Sequence, residues 1–252
     1  MKYIASCSGG KDSVATILLA LERGEPLNEV VYCEVMFTQD ISGEMLEHRD
    51  FVYGTLKPFV EAQGIPFVVL RSDKTALDCM LHKRVRGAHV GMVVGMPIPG
   101  RCEINRDCKM RPIREYWKSQ TEEYTQYLGI AADEPLRLPK LEKHGSISLL
   151  QKHGYTEAMA MDLCRQHNMV SPIYEYCNRN GCWFCMNCGD KELEHLYNNH
   201  RHLLDLLVEV EHLPNLCPFG NRMTRTETPS QIIERFRLNG QQMSIEEYLK
   251  GV

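Results

Sequence analysis

Ser8-Gly9-Gly10-Lys11-Asp12-Ser13 lies between a short apolar run, Tyr3-Ile4-Ala5-Ser6-Cys7, and a helical run, Val14-Ala15-Thr16-Ile17-Leu18-Leu19-Ala20-Leu21. A strand, a glycine-rich turn and a helix in that order aim backbone N–H groups and the positive end of a helix dipole at an anion. Gly9 and Gly10 place no Cβ between the backbone and a phosphate, and either can adopt a positive φ. Lys11 adds a point charge, and Ser8 and Ser13 add hydroxyls. The stretch reads as a polyphosphate cradle. Its spacing is not the G-x-x-x-x-G-K-S/T of the common ATP-hydrolysing loop.

Working outward, Arg23-Gly24-Glu25-Pro26 ends the first helix. Glu29-Val30-Val31-Tyr32-Cys33-Glu34-Val35 is a β-branched, largely apolar run suited to a parallel strand covered on both faces. A helix is predicted over 44–63 and a third strand over 66–70. This β-α-β-α-β order implies an α/β fold on a parallel sheet, with the ligand crevice at the carboxyl edge of the strands. A fourth strand is predicted over 126–131, running into Ala132-Asp133-Glu134-Pro135-Leu136-Arg137. From there on the apolar spacing is helical, over 155–167 and from Leu193 to Val210, with helix starts expected at Thr228-Pro229 and at Ser244-Ile245. The division expected is a nucleotide-binding α/β domain over 1–150 and a smaller helical lobe over 151–252. His195, His200 and His202 read as surface helix residues rather than ligands.

The 252 residues suffice for a full core, and a net charge of −4 argues against a general nucleic-acid coat. A local basic stretch remains. Over 82–118, Lys83, Arg84, Arg86, Arg101, Arg106, Lys109, Arg111, Arg114 and Lys118 outnumber Glu103, Asp107 and Glu115. Gly87, Gly91, Gly95, Pro97, Pro99 and Gly100 break up regular structure there, as in a long functional loop placed to meet an anionic partner such as nucleic acid. Met1-Lys2-Tyr3 runs straight into the first strand and no apolar run approaches the roughly 20 residues that span a bilayer. A cytoplasmic protein with no membrane partner is expected, of open oligomeric state.

Eleven cysteines is a high count for a reducing compartment, where grouped thiols more often bind metal than form disulfides. Cys7, Cys33, Cys79 and Cys164 stand singly in apolar surroundings and read as core residues. Cys177, Cys182, Cys185 and Cys188 fall within a dozen positions, the last three as Cys-x-x-Cys-x-x-Cys. That spacing lets thiolates converge on one centre while backbone N–H groups wrap the sulfurs. Sulfur coordination suits zinc or an iron–sulfur cluster of the 4Fe-4S type, and the spacing does not choose between them. Cys108 or Cys217 is the alternative to Cys177 as the remaining ligand.

Ser-Gly-Gly-Lys-Asp-Ser resembles the pyrophosphate-binding loop, or PP-loop, of the ATP pyrophosphatase superfamily, and within it the chain resembles the phosphoadenosine phosphosulfate reductase family. Three further stretches carry the likeness: Gly129-Ile130-Ala131-Ala132-Asp133-Glu134-Pro135 with Arg137, the segment from Arg101 and Cys102 through Cys108-Lys109 to Pro112, and Arg179 to Cys185 as Arg-x-Gly-Cys-Trp-x-Cys. The resemblance implies an adenine nucleotide alpha hydrolase-like domain that binds ATP and Mg²⁺. Ser8, Gly9, Gly10, Lys11, Asp12, Ser13, Glu34, Gly129, Asp133, Glu134 and Arg137 would bind the nucleotide, with Lys11, Asp12 and Ser13 at the chemistry. Glu34 stands where the family usually carries an Asp followed by Thr-Gly; Ser42-Gly43-Glu44 would supply the equivalent turn, and a surface glutamate is the plain alternative.

Relatives in nucleic-acid thiolation and DNA phosphorothioation carry a four-cysteine iron–sulfur cluster, which implies adenylation of a substrate followed by sulfur transfer, with a nucleotide, nucleic acid and a sulfur-donor protein as partners. The first alternative is a sulfonucleotide reductase, whose C-terminal Glu-Cys-Gly-type segment this chain lacks. The second is a non-enzymatic nucleotide and redox sensor.

Overall fold

The first strand, β1 (Lys2–Cys7), carries the anion turn at its carboxyl end and hands the chain to α1 (Lys11–Arg23). The computed structural model describes residues 1–97, 100, 102–137, 139, 141 and 145–250, the last ten as backbone. β2 (Glu29–Cys33) follows, then a nearly continuous helix made of α2 (Leu46–Phe51), a π-helical turn (Val52–Leu56) and α3 (Lys57–Ala62), and then β3 (Phe67–Leu70). Next come α4 (Ala76–Leu81), a π-helical turn (Asn105–Met110) that leads into α5 (Arg111–Ser119), and β4 (Tyr124–Leu128). The sheet is parallel throughout, in the order β3-β2-β1-β4. The α/β parallel fold expected from the sequence is the fold observed.

Two boundaries move for local reasons. α1 begins at Lys11, three residues before the apolar run, because Gly10 takes an extended N-cap conformation (φ −76°, ψ 159°) and its carbonyl accepts the Val14 N–H. β4 stops at Leu128 because Gly129 passes hard against the start of α1: a Cβ there would lie 2.6 Å from the carbonyl carbon of Asp12. β1 is paired on one side by β2 and on the other by β4, so the chain reverses its winding at β1. That is the switch point where ligands enter open parallel sheets.

The remaining elements are α6 (Leu149–Lys152), α7 (Glu157–Gln166), a 3-10 turn (Pro172–Glu175), α8 (Asp190–Asn199), α9 (Arg201–Glu211) and α10 (Pro229–Lys250). α10 starts on a Thr228–Gln231 capping pair, as expected, and continues through residue 244, so no separate helix begins at Ser244. One hydrophobic core packs α1 on the sheet and draws Leu149, Leu163, Cys164 and Met169 onto it, which carries the sheet's core past the division at residue 150. A second core surrounds Trp183 and joins Val35, Phe37, Met45 and Met80 to Leu193, Leu204 and Leu207. Cys7, Cys33, Cys79 and Cys164 are buried. Among the described residues no helix is long and apolar enough to cross a membrane.

Candidate functional site

The anion turn is held from behind. Gly9 has φ +73°, and a Cβ on it would meet His48 and Val52 at 2.7 Å. His48, buried, contacts the Ser8 carbonyl through Nε2 and the Ser171 hydroxyl through Nδ1, each at 2.9 Å. Ser13 accepts the Ser8 N–H at 3.1 Å and donates to the Gly10 carbonyl at 2.9 Å, so its hydroxyl shapes the turn. The Lys11 N–H points out of the turn and donates to the Tyr174 hydroxyl at 2.8 Å, a neutral oxygen in the place suited to a phosphate oxygen.

Ser8, Gly10, Lys11, Asp12, Ser13, Gly129 and Arg137 line one cavity of about 300 Å³. That is the lower end of the volumes small-ligand sites take. The cavity also contains Glu157, which the sequence reading did not single out. Lys11 Nζ lies 2.9 Å from Asp12 Oδ2 and 2.7 Å from Glu157 Oε2. Burial works against the Lys11 charge, but these carboxylates outweigh it and raise its pKa. Burial also raises the pKa of Asp12, with Glu157 and Glu134 adding to it against the pull of Lys11. The Lys11 ammonium is thus shared between two carboxylates at the cavity wall.

The other expected nucleotide residues act on the chain around the cavity. Asp133 accepts the Glu157 N–H at 3.0 Å, and Glu134 accepts from the Ala131 N–H and from Arg137. Glu34 is fully buried, which removes the surface alternative. Ser42 and Tyr53 donate to its carboxylate at 2.8 and 2.7 Å, and the Arg71 Nε at 2.8 Å. Burial works to raise its pKa, but these donors prevail and hold it below the usual carboxylate range. Glu34 therefore anchors the 42–44 turn. That turn is stitched to the cysteine loop: the Trp183 N–H donates to the Gly43 carbonyl at 3.0 Å and its indole N–H to the Ser42 carbonyl at 2.9 Å.

Cys182 and Cys185 face a neighbouring cavity of about 210 Å³, lined also by Cys102, Lys109, Glu44 and Asn180. Burial raises the pKa of Cys102, Cys182 and Cys188, and each of these thiols also feels Cys185. Cys177 is different. Burial and then Glu192 raise its pKa, and it opens to a cleft beside Glu192. Cys108 sits 3.7 Å from Cys79, and Cys217 lies along Val93, bonded to it through the backbone. Cys102, Cys182 and Cys185 thus share one cavity, with the Cys188 N–H donating to the Cys185 carbonyl at 2.9 Å, while Cys177 lines another cleft. Cys102 lies so far upstream that no local spacing could mark it.

Among the described residues no three cysteines bring their sulfurs within 4.8 Å of one another. A bare tetrahedral zinc, with Zn–S near 2.3 Å, needs sulfurs about 3.8 Å apart. Two cations lie near these thiols: Lys109, and Arg179, whose buried Nη2 has no hydrogen-bond partner among the described residues. Gly181 leaves room for that guanidinium, since a Cβ there would lie 2.6 Å from Arg179 Nη1. Arg179 and Asn180 also line the anion cavity, and Asn180 belongs to both cavities.

A third cavity, of about 570 Å³, opens beyond the second and shares Pro97, Gly100 and Ile104 with it. Arg84, Arg106 and Glu103 line it. Two residues of the expected basic stretch are paired, Arg106 with Asp107 and Arg111 with Glu115 and Asp73. Pro99 and Arg101 lie outside the described residues.

No protein-family model and no curated protein matches the chain. Among solved structures, the chain is similar to the U34-tRNA thiolase NcsA from Methanococcus maripaludis with its 4Fe-4S cluster, at 15% identity and a TM-score of 0.41, over 94% of this chain and 70% of that one. At that distance the likeness carries no weight for the function of this chain.

Proposed function

We propose that the chain is a PP-loop enzyme that adenylates a substrate with ATP, releases pyrophosphate and supports sulfur transfer from an adjoining cysteine-ligated centre. One observation carries the reading: Asn180 lines both the cavity of the anion turn and the cavity of the thiols, so a nucleotide in the first would lie next to the second.

In the chemistry proposed, a substrate oxygen forms a bond to the α-phosphorus of ATP and the bond to the bridging oxygen of pyrophosphate breaks. The N–H groups at the start of α1 and the Lys11 ammonium would hold the departing charge. Asp12 and Glu157 would hold Mg²⁺ beside it. Arg179 and Arg137, which also line the cavity, would meet the substrate phosphate. Cys102, Cys182, Cys185 and Cys188 would hold the sulfur-bound centre, with Lys109 and Arg179 offsetting the thiolate charge. Bound there, an iron–sulfur cluster supplies electron-transfer capacity and a thiophilic metal next to the nucleotide. The 570 Å³ cavity with Arg84 and Arg106 is the place proposed for the anionic acceptor, of nucleic-acid type.

The test is product analysis on anaerobically reconstituted protein given α-labelled ATP, Mg²⁺, a sulfide source and total cellular RNA or DNA. The reading expects AMP and pyrophosphate whose formation depends on the nucleic acid. ADP with phosphate would contradict it, and sulfite released from a sulfonucleotide without ATP would favour the reductase.

A further inference from the structure

Away from these cavities, the structure gathers a second set of ligand-type side chains. Glu47 stands in the first turn of α2, His195 on α8, and His200 in the single-residue junction between α8 and α9. The Nε2 atoms of His195 and His200 lie 2.8 and 2.6 Å from the same oxygen, Oε1 of Glu47. The three donor atoms all fall within 4.8 Å of one another. The two histidines expected at the surface are partly exposed and share one carboxylate partner. Their common target lies 148 and 153 positions upstream, beyond any helical periodicity.

The geometry points to a divalent metal site of the zinc class, with two imidazoles and one carboxylate as ligands. That donor set suits zinc and other imidazole-binding ions, and three protein ligands leave a position open. The outer contacts are those that orient ligands. The Tyr176 hydroxyl donates to Glu47 Oε2 at 3.1 Å, which holds the far oxygen and leaves Oε1 turned inward. The Tyr176 ring stacks on His195 with centroids 3.7 Å apart and planes within 6°. The Asn199 amide donates to the His195 carbonyl at 3.0 Å, with its Nδ2 3.2 Å from His195 Nδ1, which fixes the ring edge remote from Glu47. Each neutral imidazole can move its hydrogen to Nδ1, so binding to the neutral rings requires no net proton loss. The side chains are between 14% and 28% exposed, so an ion can reach them.

The site would pin the helical lobe to the α/β domain beside the anion turn, because Glu47 is followed by His48, the residue that braces Ser8. It is independent of the adenylation reading and of the thiols.

The test uses the full chain with its thiol centre reconstituted anaerobically, equilibrated with micromolar zinc and dialysed. One extra zinc per chain is expected, with an X-ray absorption shell of nitrogen and oxygen at about 2.0–2.1 Å. Glu47→Gln and His195→Asn should each weaken it by more than about tenfold, whereas Cys185→Ser should leave it in place. An all-sulfur shell near 2.3 Å, no retained zinc, or equal retention in Glu47→Gln would overturn the site. The wild-type spectrum decides even if a variant fails to fold.

Discussion

The Asn180 side-chain amide donates to the Ser8 carbonyl at 2.8 Å, tying the first residue of the anion turn to the entrance of the cysteine loop. Replacing Asn180 by Ala removes one neutral hydrogen bond, about 1 kcal/mol. We expect the variant to keep its iron while nucleotide affinity falls about fivefold, read by calorimetry and metal analysis side by side. Loss of iron with unchanged nucleotide binding would separate the two cavities.

Lys11 is the cation of the cradle and is balanced by Asp12 and Glu157. Lys11→Ala removes a charged donor to phosphate, about 1.5–3 kcal/mol. ATP should bind about 10- to 100-fold more weakly, with little change in thermal stability because the side chain lies at the cavity wall. Glu157→Gln should act the other way when Mg²⁺ is absent. Removing one carboxylate next to the polyphosphate should tighten ATP binding about fivefold, as the Coulomb repulsion of a partly solvated pair suggests.

Cys102 and Cys177 give the sharpest contrast among the thiols. Cys102→Ser should strip the centre and bleach its visible absorption, and Cys177→Ser should leave both intact. Equal loss of iron in the two variants would restore Cys177 to the ligand set.

Glu34 sets an acid limit on stability. Its native pKa lies below the ordinary 4.5, so its stabilisation is complete above pH 4.5 and is lost as the pH falls through the native value. Glu34→Gln should cost about 1.5–3 kcal/mol at pH 7, since it weakens charged hydrogen bonds to Tyr53, Ser42 and Arg71. The variant should also show a shallower fall in stability between pH 4.5 and 2 than the wild type. Denaturant titrations across that range would show it.

The parts legible in the sequence are those set by near neighbours. Ser8 to Ser13, the three apolar strand runs and the Gly24 helix end are local patterns, and each lies where its pattern placed it. Glu34 was not legible, because Tyr53 and Arg71 reach it from 19 and 37 residues away, and burial rather than residue type decides its role. Cys102 and the Glu47 pair of histidines were hidden for the same reason. Glu157 had no motif at all; only the packing of α7 on α1 brings it to Lys11.

The central claim is that residues 8–13 bind the polyphosphate of ATP. Calorimetric titration of the anaerobic, reconstituted protein with ATP and Mg²⁺, repeated in the presence of pyrophosphate, tests it most directly. The account predicts one ATP per chain, displaced by pyrophosphate and weakened by Lys11→Ala. Binding indifferent to both, or no binding at all, would contradict it.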